Sequence, residues 1–245
     1  MKIRENRVEL RGMIYSDPII RVSNAAQKEY AKFTVQTVLK SHTGKDVSYY
    51  NSLTVWDKAQ VETLKSLKKG AGVEVIGRLV DKKMQTPTGH TRSFIDIYVF
   101  EVKPVQGVVE HHNSVELYGR LVAQPEIRKV RDNLSVTKVT LAVNNKKSKA
   151  NEGKPDFLNL SAFGNVADNS VKIQKGKWTE ATAIIKNSNY KNKDGEVIYF
   201  TELVAGFVGE KVWEDRPAYS SENNKEEDIN WNFDEVPNYD DMPFA

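Results

Sequence analysis

An all-β chain built as two tandem five-stranded barrels with an acidic tail is the fold class predicted by three features of the 245-residue sequence. The chain repeats itself, each copy alternates apolar and polar residues in short runs, and the charge changes sign near the C-terminus. Asn6-Arg-Val-Glu-Leu-Arg-Gly12 returns as Asn113-Ser-Val-Glu-Leu-Tyr-Gly119, and Asp17-Pro-Ile-Ile-Arg21 returns as Gln124-Pro-Glu-Ile-Arg128, both at an offset of 107 residues. Tyr50 then meets Phe157, Trp56 meets Phe163, and Lys69-Gly70 meets Lys175-Gly176, within one residue of the same offset. A module of about a hundred residues is large enough to close a core without disulfides, and two of them plus a tail fill the length.

Each copy reads as short strands with one helix. Val8, Leu10 and Gly12 alternate with polar residues and open a first strand, continued past Asp17-Pro18 by Ile19-Ile20. Phe33, Val35 and Thr37 make a second strand, and the run around Leu53 and Val55 a third. Val73–Val80 and Phe94–Phe100 complete five β segments. Between the third and fourth, Asp57 is placed to cap a short helix that carries Val61, Leu64 and Leu67 on one face and ends at Lys68-Lys69-Gly70. Five strands with a helix after the third is the order of an OB-fold, a small Greek-key barrel. The second copy repeats it with Val115–Gly119, Val136–Val143, Leu158–Phe163, Thr179–Ile185 and Ile198–Val204, and with a weaker helix signal from Asn165 to Lys175. The division that follows is an OB-fold domain over 1–106, a short linker over 107–112, a second OB-fold domain over 113–215 and a disordered acidic tail over 216–245.

Composition narrows the function. With no cysteine there is no thiolate catalysis, no cysteine-based zinc site and no disulfide, which fits a reducing cytoplasm. No apolar run reaches membrane-spanning length, so no membrane partner is expected. His42, His90, His111 and His112 show no metal-ligand spacing, and Gly176-Lys177-Trp178-Thr179 lacks the glycine-rich run of a phosphate-binding loop. The chain is therefore read as a non-enzyme without metal or cofactor. The net charge of +3 conceals an asymmetry: residues 219–245 hold eight acids and one base, a charge of −7, which leaves +10 on residues 1–218. A basic body with an acidic tail points to a polyanion partner, most often nucleic acid.

The loops agree. One long hairpin runs from Lys82-Lys83-Met84 through Pro87, Gly89 and Arg92, and its counterpart from Lys186 through Tyr190, Lys191 and Asp194-Gly195. Lys40–Lys45 and Lys146–Lys154 form a second basic pair. Basic hairpins on a small barrel can follow a phosphate backbone while nearby rings stack on bases. Tyr50 and Trp56 are six residues apart, hence on one face of a regular strand. Trp178 and Trp213 read as core or domain-packing residues.

Both copies, over about residues 5–105 and 112–210, resemble the bacterial single-stranded DNA-binding protein family, SSB. The resemblance is carried by Asn-x-Val-x-Leu-x-Gly at Asn6–Gly12 and Asn113–Gly119, and by the proline segments ending at Arg21 and Arg128. The aromatic third strands Tyr50-Asn-Ser-Leu-Thr-Val-Trp56 and Phe157-Leu-Asn-Leu-Ser-Ala-Phe163, and the Lys-Gly turn before strand four, complete it. It implies sequence-independent binding of single-stranded DNA, with Tyr50, Trp56, Phe157 and Phe163 as stacking residues and Met84 and Tyr190 at the corresponding hairpin position. A fourth aromatic position of the family falls near Ser41 and Lys147, neither of which is aromatic. Arg21, Lys58, Lys69, Lys83, Arg128, Lys175 and Lys186 are the candidate phosphate contacts by position. The family's partner-facing histidine falls on Asn51 and Leu158. By analogy four OB domains act together, which implies a homodimer of two-domain chains associated with the nucleoid. An RNA-binding or protein-scaffolding OB pair is the alternative.

The tail ends in two imperfect copies of one hexamer, Asn232-Phe-Asp-Glu-Val-Pro237 and Asn238-Tyr-Asp-Asp-Met-Pro243, then Phe244-Ala245. The second copy is similar to the SSB tail that docks on replication, recombination and repair proteins. The resemblance implies that Phe244 fills an apolar pocket beside Met242 and Pro243 while Asp240 and Asp241 meet a basic rim. Ala245 departs from the family, in which the terminal phenylalanine carries the carboxylate.

Overall fold

The computed structural model describes residues 6–23, 27–41, 43–85, 91–130, 133–144, 154–191 and 197–211. Side chains at 83–85, 91–93, 188–191 and 197–199 fall outside that description. Alternation decides the first strand: in β1 (Asn6–Ile14) Val8, Leu10 and Ile14 are buried while Arg7, Glu9 and Arg11 lie on the other face. Pro18 offers no ladder N–H, and the chain breaks there before β2 (Ile19–Ser23). Gln27, with φ 48°, turns it into β3 (Lys28–Lys40), and Gly44, with φ 77°, into β4 (Asp46–Val55). Asp57 caps α1 (Lys58–Lys65) by accepting the Gln60 N–H at 3.1 Å, and Val61 and Leu64 are buried beneath it. β5 (Gly72–Gln85) and β6 (Thr91–Val105) complete the first barrel.

The second copy repeats the order with β7 (His112–Leu121), β8 (Arg128–Lys129), β9 (Ser135–Val143), β10 (Asp156–Phe163), α2 (Asn165–Ser170), β11 (Trp178–Lys191) and β12 (Val197–Glu210). The helix signal expected to reach Lys175 stops at Ser170. Gly164 stands where Asp57 stands in the first copy and supplies no side-chain cap, so the helix lacks that support and stays at six residues.

Each copy closes. β1 pairs with β3, β3 with β4, β4 in parallel with β6, β6 with β5, and β5 with β1. The second copy follows the same path through β7, β9, β10, β12 and β11. This is the OB strand order, and the buried leucines Leu10, Leu53, Leu64 and Leu79, with Leu117, Leu141, Leu158 and Leu160, fill the two interiors. The barrels are then joined edge to edge. β1 and β7 run antiparallel with Val8 opposite Val115, which are equivalent residues of the two copies, so the joint has a pseudo-twofold axis. A continuous six-strand run, β6-β5-β1-β7-β11-β12, passes through both barrels. The contacts gather them into a single unit that ends at Lys211.

The asparagines of the repeated motif acquire a physical reason. β1 shares its backbone with β7 at Asn6, and β5 shifts register at Ile76/Gly77. The Asn6 amide takes over, donating to the Leu79 carbonyl and accepting the Leu79 N–H, both at 2.9 Å. Asn113 does the same for Ile185 in the second copy, again at 2.9 Å each way. Removing a buried amide that satisfies two backbone groups costs about 1–3 kcal/mol per orphaned group. Asn113→Ala is therefore expected to lower stability by at least ~2 kcal/mol in urea unfolding; a loss near zero would mean water fills the role.

Candidate nucleic-acid interface

The third strand of each barrel presents the aromatic rings. In β4 the buried phase is taken by Asn51, Leu53 and Val55, so Tyr50, Ser52 and Thr54 face outward, followed by Trp56. Tyr50 is 41% and Trp56 45% exposed, high values for rings of this size. In β10 Leu158, Leu160 and Ala162 are buried, which turns Phe157, Asn159, Ser161 and Phe163 outward; Phe157 is half-buried and Phe163 exposed. All four rings expected from the sequence thus lie on the outer faces of the barrels.

Two other rings brace the first pair. Tyr15 meets Tyr50 edge-on at 4.8 Å between centroids, and Gln36 Nε2 donates to the Tyr50 hydroxyl at 3.3 Å. Tyr30 stacks under Trp56 at 4.6 Å with 26° between planes. Arg21 pairs with Tyr30 across β2 and β3, so Arg21, Tyr30 and Trp56 share one row. The second barrel builds the same row from Arg128, Val136 and Phe163, with valine in place of the supporting tyrosine. Tyr98 adds a further ring: it pairs with Thr54 across β4 and β6, is 51% exposed, and has the Arg78 guanidinium 5.5 Å from its centroid. Phe100 sits edge-on to it at 5.6 Å. At the place of Thr54 and Tyr98 the second barrel pairs Ser161 with Val204, so it has no ring there. Tyr15, Tyr30 and Tyr98 were not expected. The readable signal was phase: Tyr30 is out of step with buried Phe33, and Tyr98 with Ile97 and Val99.

The basic candidates divide. Arg21 and Arg128 lie in the aromatic rows, and Lys58, exposed, opens α1 two residues beyond Trp56. Lys186 is half-buried on β11 opposite Glu202. Lys69 and Lys175 lie outside these rows, on turns where their N–H groups donate to Asp17 Oδ1 at 2.7 Å and Gln124 Oε1 at 3.3 Å. The side chains of Lys83, Met84 and Tyr190, and the tail residues Asp240, Asp241, Met242, Pro243 and Phe244, lie outside the described residues, as does Trp213.

Trp178 narrows the expectation of a core or domain-packing residue. It is not core: Thr179 takes the buried phase, and Trp178 lies half-buried against Tyr118, stacked at 4.8 Å with 13° between planes, with the Arg120 guanidinium 4.9 Å from its centroid. Asn51 and Leu158, at the position of the family's partner-facing histidine, are 2% and 0% exposed, buried by the chain itself. Between the barrels, Asp156 accepts the Asp81 N–H at 3.3 Å and lies 3.6 Å from Arg78. Burial pushes its carboxyl above the usual range, opposed by that N–H and by Arg78. Among the described residues no cluster of three or more His, Asp or Glu could hold a metal ion, and no helix is long and apolar enough to cross a membrane.

Two OB barrels fused edge to edge, with aromatic residues on matching outer strands, define a tandem OB-fold protein. The model of the Single-strand binding protein family matches residues 5–105 and 112–210, and the chain belongs to that family. Single-stranded DNA-binding protein 1 of Staphylococcus aureus (strain MSSA476) is 37% identical over 98 residues, covering 39% of this chain and 63% of the relative. Single-stranded DNA-binding protein 1 of Lactococcus lactis subsp. lactis (strain IL1403) is 39% identical over 95 residues, covering 38% of this chain and 63% of the relative. The match thus spans under two thirds of the length of these relatives. In fold, the crystal structure of wild-type single-stranded DNA binding protein from Thermus aquaticus superposes with TM-score 0.69 at 21% identity, covering 89% of this chain and 98% of that one. A deletion mutant of the same Thermus protein gives 0.70 at 20% identity, covering 89% and 100%.

Proposed function

We propose that this protein binds single-stranded DNA without sequence preference and without catalysis, coating and protecting it during replication, recombination and repair. One observation carries the reading: both barrels turn their third-strand rings outward, Tyr50 and Trp56 in one and Phe157 and Phe163 in the other. A face of every base can stack on such rings, so binding is indifferent to sequence. Arg21, Lys58 and Arg128 stand beside the rings as phosphate contacts, and Lys69, Lys83, Lys175 and Lys186 are further candidates. Two chains form a homodimer presenting four OB domains, and the tail from Asp240 to Phe244 recruits partner proteins. Competition between oligo-dT, matched RNA and duplex DNA tests the binding claim, and equal or better binding of RNA would replace it with the RNA-binding alternative. Molar mass in solution with and without oligo-dT tests the assembly, expected at twice the 27.8 kDa of one chain.

The tail prediction is separate. Removing residues 232–245 takes away acids that compete with DNA for the basic body, so affinity for oligo-dT should stay equal or rise. Recruitment of partner proteins should be lost in a pull-down; retention after the deletion refutes docking.

A further inference from the structure

The two rings on each third strand are six residues apart, which at about 3.3 Å per residue separates them by roughly 20 Å. Adjacent bases cannot stack on both, so the bound backbone must cross the ground between them. That ground is small and polar: Ser52 and Thr54 in β4, Asn159 and Ser161 in β10. Among the described residues a lysine stands there in each barrel. Lys32 on β3 is opposite Thr54, one row from Tyr30 and Trp56 and two rows from Gln36 and Tyr50. Lys138 on β9 is opposite Ser161, one row from Val136 and Phe163 and two from Ala142 and Phe157. Burial alternation puts both lysines in the outward phase, between buried Ala31 and Phe33 and between buried Thr137 and Val139. Around them the copies have diverged, with Tyr30 against Val136, Gln36 against Ala142 and Tyr98 against Val204, yet a lysine stands at the same place in both.

We infer that Lys32 and Lys138 contact phosphates of the bound strand, each neutralising the backbone where it crosses between the two stacking rings of its barrel. The inference rests on the single-stranded DNA reading above and adds two residues to its site. The two lysines differ in setting. Lys32 is exposed, whereas Lys138 is half-buried along its stem with its amine nitrogen shielded from solvent. That burial pushes the amine down to about 8, and a phosphate reaches it only when the side chain turns outward. Charged groups on the elements packed against β9 are Asp156 on β10, Arg128 and Lys129 on β8 with Glu126 ahead of it, Glu116 and Arg120 on β7, and Asp168 on α2. A phosphate brought to Lys138 favours its charged form and raises that value. Binding then takes up a proton between pH about 8 and the raised value, and affinity falls as pH rises through that window.

The test uses the full chain, oligo-dT, and Lys32→Met, Lys138→Met and Lys138→Arg. Each methionine variant should lower the slope of log K against log salt by about 0.7, the loss of one phosphate contact, which at about 50 mM salt is roughly an eightfold loss of affinity. Lys138→Arg should keep the salt slope and flatten the pH dependence between pH 7 and 9, because arginine stays charged throughout. Unchanged salt slopes in both methionine variants, with unfolding midpoints at the wild-type value, would overturn the inference while leaving the strand-binding reading intact. A wild-type chain that fails to bind oligo-dT removes both.

Discussion

The double substitution Trp56→Ala with Phe163→Ala is expected to weaken binding of oligo-dT at constant salt by about thirtyfold or more. Base stacking on an aromatic ring is worth ~1–3 kcal/mol per base by truncation, so two rings give ~2–6 kcal/mol, and each 1.4 kcal/mol is about tenfold. Both rings are outward and exposed, so the barrels should keep their circular dichroism spectrum and unfolding midpoint. The single variants should not be equal. Trp56 is held by Tyr30 at 4.6 Å, which orders the indole before a base arrives, whereas Phe163 faces Val136. A preordered ring loses less freedom on binding, so Trp56→Ala should cost more than Phe163→Ala. Tyr30→Ala should reproduce part of the Trp56→Ala loss without removing the indole. Affinity unchanged in the double variant would remove the rings from the interface and leave phosphate contacts as the whole of the binding.

The sequence disclosed the fold because alternation is a local signal. Val8, Leu10, Leu53, Val55, Leu158 and Leu160 carry their phase along short strands, and Asp57 marks its own helix. The four rings were singled out by the family resemblance; parity put Tyr50 and Trp56 on one face without deciding which face is buried, and the structure decides it. Leu53 and Val55 share the buried phase, which leaves Tyr50 and Trp56 on the other side. What a repeat cannot disclose is pairing between copies. The β1–β7 joint depends on two edges meeting across 107 residues, and nothing local to Asn6 or Asn113 announces that its amide will serve a strand 72 or 73 residues away. Tyr30, Tyr98 and Lys32 were equally hidden, since their membership of the site comes from ladder register with Trp56 and Thr54. Of the two readings open for Trp178, core and domain packing, the core one fails although a large apolar residue beside a strand start is more often buried; the deciding fact is the phase of Thr179.

The glycines ending the repeated motif should give the largest loss of stability. Gly12 lies where β1 meets β3 to close the first barrel, through the pairs Met13 with Gln36 and Ile14 with Val35. A Cβ on Gly12 would stand 2.1 Å from the Gln36 carbonyl oxygen and 2.9 Å from its carbon. Gly119 repeats the contact in the second barrel, 2.5 Å from the Ala142 oxygen. Those atoms are backbone and cannot rotate away, so even alanine must push β3 off β1 and open the closure. Overpacking of a well-packed interior costs ~1–3 kcal/mol when side chains can yield; here the closing pairs go as well, and Gly12→Ala is expected to cost about 3 kcal/mol or more. Gly107 supplies the comparison. It adopts φ 79° with no atom within 4 Å of a Cβ, so Gly107→Ala should cost only the left-handed penalty of about 1–2 kcal/mol. Urea unfolding of the two variants should rank them in that order. The same displacement should reach the interface, because β3 carries Tyr30 and therefore the support of Trp56. At temperatures where Gly12→Ala remains folded, its oligo-dT affinity should fall below that of Gly107→Ala. Equal stability of the two would mean that β1 and β3 do not approach as closely at Gly12 as the closed barrel requires.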